Sequence, residues 1–435
     1  MPMQSTSRVP YELMLEIIAL LSKDRGTLFK LLFLHPSYKA HIEQILYRNM
    51  TDWIHLPSHQ GFLNTVRNNT RLASYVHRYA FIEDEDNLGP LKRFGDESIR
   101  SYWENVVLAV DNMSNLKEFM IYLSFIDDEL FPASGLLSAL QPKNIEVFKW
   151  DTVRWTDHMA PFIASQPSLI NLWIKIPPTY LDAFRDAIKR DKPSLPNLRK
   201  ISSSWGVCQT LVEGNRSVRS LVCYARLGPL GDGSTHFLKS MNNITSLVLT
   251  TCTPNNTIPI ILRGVALTCP HLICLEFPVD RVRVSPSHHP NPLGFVNLED
   301  HVQPVAHGQL IFPRLEYLIM STVSVYEAEG TTVKSIASAY FSSHVWLKGI
   351  YSGARLNLHR SIAFLPKHDS GSYRPKNALD NKSTYRCWKR GATALPGLGV
   401  ESSDLHMEGL VFVDHSIFDD LPQMLMARRR TQEDT

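Results

Sequence analysis

Six cysteines, a histidine-rich stretch and one acid–base neighbour pair are the residues of this chain that could do chemistry. The cysteines are Cys208, Cys223, Cys252, Cys269, Cys274 and Cys387. Thiolates hold zinc when they come in close pairs with a second pair in register. No C-x-x-C pair is present, and Cys269 and Cys274 stand five apart around Pro270 and Leu272. The spacing predicts small buried apolar residues, as in a protein of a reducing compartment. His288, His289, His301 and His307 follow no ligand spacing and read as part of a surface loop. Asp157 and His158 are sequence neighbours, which do not face one another on a helix. No Walker A loop, dinucleotide-binding glycine motif, nucleophile elbow or helical zinc-ligand pair occurs. Gly397-Leu398-Gly399 is too short to cradle a phosphate. The expectation is a binding protein with no catalytic residue, no cofactor and no metal.

The elements that position the remaining side chains must then carry the function. Of 435 residues, 44% are hydrophobic and 20% charged, which fits a folded globular chain. Forty-five Lys and Arg against forty-two Asp and Glu leave a net charge of +3. So even a balance predicts neither a nucleic-acid nor an anionic-membrane partner. The apolar residues from Val9 onward are broken by Glu12, Glu16, Lys23, Asp24 and Arg25, unlike a secretory leader. The most apolar stretch, Ile258 to Cys269, is short and contains Arg263. The expected location is intracellular, cytoplasmic or nuclear.

The first fifty residues predict three short helices. Pro10 suits a first helical position, and Glu12 lies in the first turn where the helix dipole favours it. Leu13, Ile17, Leu20 and Leu21 form one stripe at helical spacing. Asp24 can cap a second helix carrying Leu28, Leu31 and Leu32; Pro36 ends it, and Ser37 can cap a third with Tyr38, Ile42, Ile45 and Leu46. Phe29, Phe33 and Leu34 lie off the main stripe, so part of this surface needs a cover.

The phrase Val9-Pro10-Tyr11-Glu12-Leu13, followed by Ile17, Leu20 or Leu21, Asp24, Leu28 to Leu32 and the closing Leu46-Tyr47-Arg48, resembles an F-box. Val9 stands where that family usually has Leu, and His35-Pro36-Ser37-Tyr38 replaces its common Cys-Arg-x-Trp phrase. The resemblance implies docking onto the Skp-type adaptor of a cullin-RING ubiquitin ligase. Val9, Pro10, Leu13, Ile17, Leu21, Leu28, Leu31 and Leu32 would then be the adaptor-binding residues. Amphipathic helices presenting Leu and Ile to a groove are a common recognition mode. The alternative is a helical cap over the domain that follows.

From residue 71 to 350 a phrase recurs, apolar-x-x-apolar-x-apolar. Its copies are Leu116-Phe119-Ile121, Ile145-Phe148-Trp150, Leu169-Leu172-Ile174, Leu198-Ile201, Val218-Leu221-Cys223, Ile244-Leu247-Leu249, Leu272-Leu275-Phe277 and Leu315-Leu318-Met320. A degenerate earlier copy is Val76-Tyr79-Phe81. Successive first positions are 29, 24, 29, 20, 26, 28 and 43 residues apart. All but the last lie in or near the leucine-rich-repeat range, with helix-like stretches such as Leu181 to Lys189 between the phrases. The combination resembles the F-box/leucine-rich-repeat proteins. It predicts an α/β fold, a leucine-rich-repeat-like solenoid preceded by a small three-helix F-box.

On that reading the domains are a helical segment 1–50, a linker 51–70, a solenoid 71–350 with an insertion at 278–311, and an irregular tail 351–435. The residues between the apolar phrase positions would face an open concave side. These include Glu118, Met120, Ser202 and Thr250, with Tyr122, Lys149, Trp173, Lys175, Tyr224, Glu276 and Tyr317 as candidate target-binding residues. The run Glu83-Asp84-Glu85-Asp86 reads as a solvated turn, and Arg428-Arg429-Arg430 carries no reading. The function expected is a non-catalytic, substrate-recognition subunit of a Skp-cullin-F-box type ubiquitin ligase that binds the adaptor, through it a cullin, and an unidentified protein target. The rivals are a plain repeat scaffold without a ligase link and, last, a hydrolase with dispersed catalytic residues.

Overall fold

The computed structural model describes residues 10–33, 36–50, 56–82, 96–123, 130–152, 156–191, 195–215, 217–224, 241–249, 262, 265–278, 312–322, 340, 344, 347, 349–354, 362–366 and 385–389. The chain divides into two compact units, Met1–Ile201 and Ser202–Thr435.

The first unit opens with helices. Pro10 precedes α1 (Tyr11–Leu20), and a single 3-10 turn, Leu21–Lys23, leads to Asp24. The Asp24 carboxylate accepts from the Thr27 backbone N–H at 3.0 Å and from the Thr27 hydroxyl at 2.7 Å. Those two bonds cap α2 (Arg25–Leu31) and hold the carboxyl below its ordinary range. Pro36 begins α3 (Pro36–Arg48), which runs directly into β1 (Asn49–Met50). Residues 51–70, expected to be a linker, contain α4 (Leu56–Asn68), and α5 (Thr70–Ala73) follows.

Four further strands of this unit are β2 (Arg78–Ile82), β3 (Glu118–Tyr122), β4 (Val147–Asp151) and β5 (Asn171–Ile174). Between them lie α6 (Asp96–Asn112), α7 (Ala133–Leu140) and α8 (Met159–Ala164). From β1 to β5, neighbouring strands pair in parallel in chain order. Tyr79, Phe119, Phe148 and Leu172 stand in one cross-strand row, with Phe81, Ile121, Trp150 and Ile174 in the next. All eight are buried, and the rings of Tyr79, Phe119 and Phe148 stack at 5.9 and 6.2 Å. Each such aromatic pair contributes about 0.5–1.5 kcal/mol beyond its burial. A repeated lock sets the register. His77 O accepts from the Lys117 and Glu118 N–H groups, Lys117 O from Glu146 and Val147, and Glu146 O from Ile170 and Asn171.

After α9 (Leu181–Asp191), β6 (Lys200–Ser204) contains the boundary between the units. The second unit holds α10 (Trp205–Gly214) and the strands β7 (Ser220–Tyr224), β8 (Ser246–Leu249), β9 (Cys274–Pro278), β10 (Tyr317–Thr322) and β11 (Gly349–Ala354). These five are parallel in chain order, with Leu221, Leu247, Leu275 and Leu318 in one buried row. β12 (Ile362–Pro366) pairs antiparallel with β11 and β13 (Tyr385–Lys389) antiparallel with β12; both lie inside the segment expected to be an irregular tail.

The architecture is therefore a parallel α/β sheet arrangement, and it replaces the expected leucine-rich-repeat-like solenoid preceded by a separate three-helix F-box. Two findings overturn that expectation. First, α3 feeds β1, the first strand of the sheet, and the His77 N–H donates to Arg48 O at 2.9 Å, so the helices are continuous with the sheet unit. Second, residues assigned to an open concave side are interior: Lys149 and Glu276 are each 2% exposed, and Met120, Tyr122, Trp173 and Ser202 are also buried. The physical reason is that a parallel sheet is normally covered on both faces, so the row of residues between the apolar positions is buried as well. Met120, Lys149 and Trp173 share such a row, and the Lys149 ammonium lies 5.7 Å from the Trp173 ring centre. An apolar phrase reads alike in both folds, because strands buried on two faces also appear as dense apolar runs.

Two histidines sit in these interiors. The His59 Nδ1 is 2.6 Å from the Tyr102 hydroxyl and its Nε2 3.1 Å from that of Tyr79. The His344 Nε2 accepts from the Phe312 backbone N–H at 3.0 Å, which leaves Nδ1–H to donate to Tyr340 O at 3.1 Å. Burial pushes both imidazoles down to about 4.

Candidate protein-docking surface

The N-terminal helices build a small core and leave a large apolar remainder. Ile18, Leu28 and Ile42 are fully buried against one another, with Leu21, Leu31, Leu32, Tyr38, Ile45 and Leu46 partly buried around them. The Arg25 guanidinium ties the bundle together by donating to Leu46 O at 3.1 Å and Asn49 O at 2.6 Å. Tyr11, Leu13, Ile17, Leu20, Phe29 and Phe33 are exposed by 44 to 83%, and Leu13, Ile17 and Leu20 share one face of α1, turned away from the buried Ile18. Tyr11 stacks on Tyr38 at 5.3 Å, and Phe29 meets Phe33 edge-on at 5.5 Å.

The structure splits the expected adaptor-binding residues. Pro10, Leu13 and Ile17 are exposed. Leu28 is wholly inside, and Leu21, Leu31 and Leu32 pack against it, so these four hold the helices together. Val9 lies outside the described residues. Tyr11, Leu20, Phe29 and Phe33 are exposed as well, without having been assigned a binding role. Their signal was present in the sequence, since Phe29 and Phe33 stand off the stripe that faces the core. So many exposed apolar side chains on a short segment point to an interaction surface.

The candidate target-binding residues do not form a comparable surface. Tyr122 and Trp173 meet edge-on at 4.9 Å in the interior, and Lys149 and Glu276 are interior too. Lys175 is exposed and paired with Asp151 at 3.2 Å. Tyr224 and Tyr317 occupy strands β7 and β10, with their side chains outside the described set, and Thr250 lies outside the described residues.

Cys208, Cys223, Cys269 and Cys274 are free thiols in the interior of the second unit. The Cys223 thiol is raised by its hydrogen bond with Cys208 and by burial, and burial pushes Cys269 up to about 12. Such thiols are poor nucleophiles, because the thiolate is the reactive form. Cys252 and Cys387 have no described side chain, and His288, His289, His301, His307 and the glycines Gly397 and Gly399 lie outside the described residues. Among the described residues no three His, Cys, Asp or Glu groups converge as metal ligands, and no helix is long and apolar enough to cross a membrane.

One cleft of about 390 Å³ opens in the first unit. Arg100, Trp103 and Glu104 of α6, Leu130 to Pro132, the first turn of α7 and Thr156 line it. Sequence reasoning had no handle on it, since its lining comes from separate segments that no spacing links. No family model matches the chain, and no curated protein matches its sequence.

Proposed function

We propose that this chain is a non-catalytic, substrate-recognition subunit of a Skp-cullin-F-box type ubiquitin ligase, acting inside the cell in the cytoplasm or nucleus. The observation that carries the reading is the set of exposed apolar side chains Tyr11, Leu13, Ile17, Leu20, Phe29 and Phe33. It lies on the segment whose Val9-Pro10-Tyr11-Glu12-Leu13 phrase resembles an F-box. The bundle has its own core in Ile18, Leu28 and Ile42, so it does not need these side chains to hold together. Covering each of them in a groove contributes about 1 kcal/mol, half of a full side-chain burial. Several together give a specific contact of ordinary strength.

The adaptor would hold the N-terminal helices, and the sheet units would present a protein target. The target is then modified because it is held close to a ubiquitin-carrying enzyme elsewhere in the complex. A pull-down of the purified chain with a Skp-type adaptor tests the reading, beside a Leu13→Asp, Leu20→Asp double variant. Both positions are exposed, so the variant keeps its fold. Binding by the parent and not by the variant supports the proposal; equal binding, or none by either, refutes it.

A further inference from the structure

The interior of the first unit carries a chain of oxidisable rings that ends on a base. We infer that Tyr102 is a redox-active residue, which traps holes (missing electrons) made in this core by one-electron oxidants. The hole settles there as a neutral phenoxyl radical, and the phenol proton passes to His59. The rings are in contact. Trp150 of β4 meets Phe131 at 5.4 Å, Phe131 meets Trp103 of α6 at 5.0 Å, and Trp103 meets Tyr102 edge-on at 5.5 Å. All four are buried. Electrons pass between rings at such spacings, so a hole made on either indole reaches Tyr102.

The fate of the proton decides where the hole stops. An oxidised indole or phenol is a strong acid, and a base beside it makes the oxidation easier. The Trp103 and Trp150 indole N–H groups are buried and find no acceptor among the described residues. With no base to take their protons, neither indole keeps the hole. The Tyr102 hydroxyl lies 2.6 Å from His59 Nδ1, and the Tyr79 hydroxyl 3.1 Å from Nε2. A neutral imidazole has one acceptor nitrogen. Hydrogen bonds from O–H donors run shorter than those from N–H donors, so Tyr102 donates to Nδ1 and Nε2–H donates to Tyr79. Proton transfer needs contact of this length. Burial holds the Tyr102 phenol well above its ordinary value, so it stays protonated until oxidised. Burial also makes His59 a weak base, at about 4, yet an oxidised phenol is by far the stronger acid. The step balances. The oxidant takes one electron from an indole, and that indole takes one from Tyr102. The Tyr102 O–H bond breaks and an N–H bond forms at His59 Nδ1. The imidazolium so made donates to the Tyr102 and Tyr79 oxygens together, which pairs both of its N–H groups. A thiol or enediol reductant returns the electron, and the proton goes back with it.

The test is pulse radiolysis of the full chain with azide radicals, which oxidise indoles in preference to phenols. Expected is a first-order conversion of indolyl into phenoxyl absorption, at a rate independent of protein concentration. The amplitude of that phase should fall severalfold in Tyr102→Phe and stay in Tyr79→Phe. Its rate should drop at least tenfold in His59→Gln, whose amide can donate but cannot bind a proton. The two Tyr→Phe changes keep the ring, and urea denaturation checks the fold of each variant. The parent alone gives a second reading that no folding defect can blur. The phase should slow severalfold in heavy water, and paramagnetic resonance of the freeze-quenched radical should show hyperfine coupling to one exchangeable proton. A phase that survives Tyr102→Phe, one lost in Tyr79→Phe instead, a rate indifferent to His59→Gln, or a parent radical without that coupling overturns the assignment.

Discussion

Lowering the pH from 7.5 to 5 will destabilise this protein through two buried imidazoles, and the size of the loss follows from their surroundings. His344 is fixed as the Nδ1–H tautomer, because its Nε2 accepts from the Phe312 N–H. Protonation would set two donors against each other in a site where His344 is 4% exposed. His59 stands between the Tyr79 and Tyr102 hydroxyls, with the Phe62 and Phe81 rings against it and no carboxylate among these partners. Both imidazoles are held at about 4 when folded and return to 6.5 on unfolding. The folded value is the lower one, so the unfolded chain takes up the proton first. Stability is full above pH 6.5, falls as pH drops from 6.5 to 4, and levels off below. Linkage gives a loss of about 2 kcal/mol per histidine at pH 5 and about 3 kcal/mol below pH 4. The assay is urea denaturation at pH 7.5 and 5 on the parent and on His344→Gln, whose amide can still accept from Phe312 and donate to Tyr340 O. The variant should lose about 2 kcal/mol less than the parent over this range. A loss equal to the parent's would refute the assignment of the pH dependence to His344; His59→Gln makes the same test in the first unit.

Phe119→Ala removes the middle ring of the Tyr79, Phe119 and Phe148 stack and should cost about 3–5 kcal/mol, read as a lower denaturation midpoint at unchanged slope. Asp24→Ala takes the cap from α2, and amide exchange over residues 27–31 should speed up severalfold while exchange in β2 to β5 stays as it was. Iodoacetamide applied to the native chain should leave Cys208, Cys223, Cys269 and Cys274 unmodified and label them only in denaturant; peptide mass mapping gives the answer residue by residue.

The strand positions were legible in the sequence and their environment was not. Each apolar phrase falls on or just before a strand: Leu116 leads β3, Leu169 leads β5 and Leu272 leads β9, each through a turn in which its N–H donates three residues back. That regularity comes from local chemistry, which a spacing can record. The burial of Lys149 and Glu276 comes from neighbours on adjacent strands, far away in sequence. A charged residue at an alternating strand position looks solvent-facing from its own strand alone. The same limit divided the N-terminal docking residues. Helical periodicity showed that one stripe is apolar, but Leu28 turned inward while Phe29 and Phe33, off that stripe, are exposed. The cleft beside Arg100 had no one-dimensional trace at all.

Within each unit, every described parallel pairing joins a strand to the next one in the chain. Such a sheet can be laid down in the order of its synthesis. A new strand docks on the one made just before it, closing one loop of a few tens of residues rather than gathering distant pieces. The most recent strand then carries the growing, unpaired edge. A stall in translation midway through either unit would leave that edge open to other chains, so the hazard of aggregation moves along the message with the ribosome.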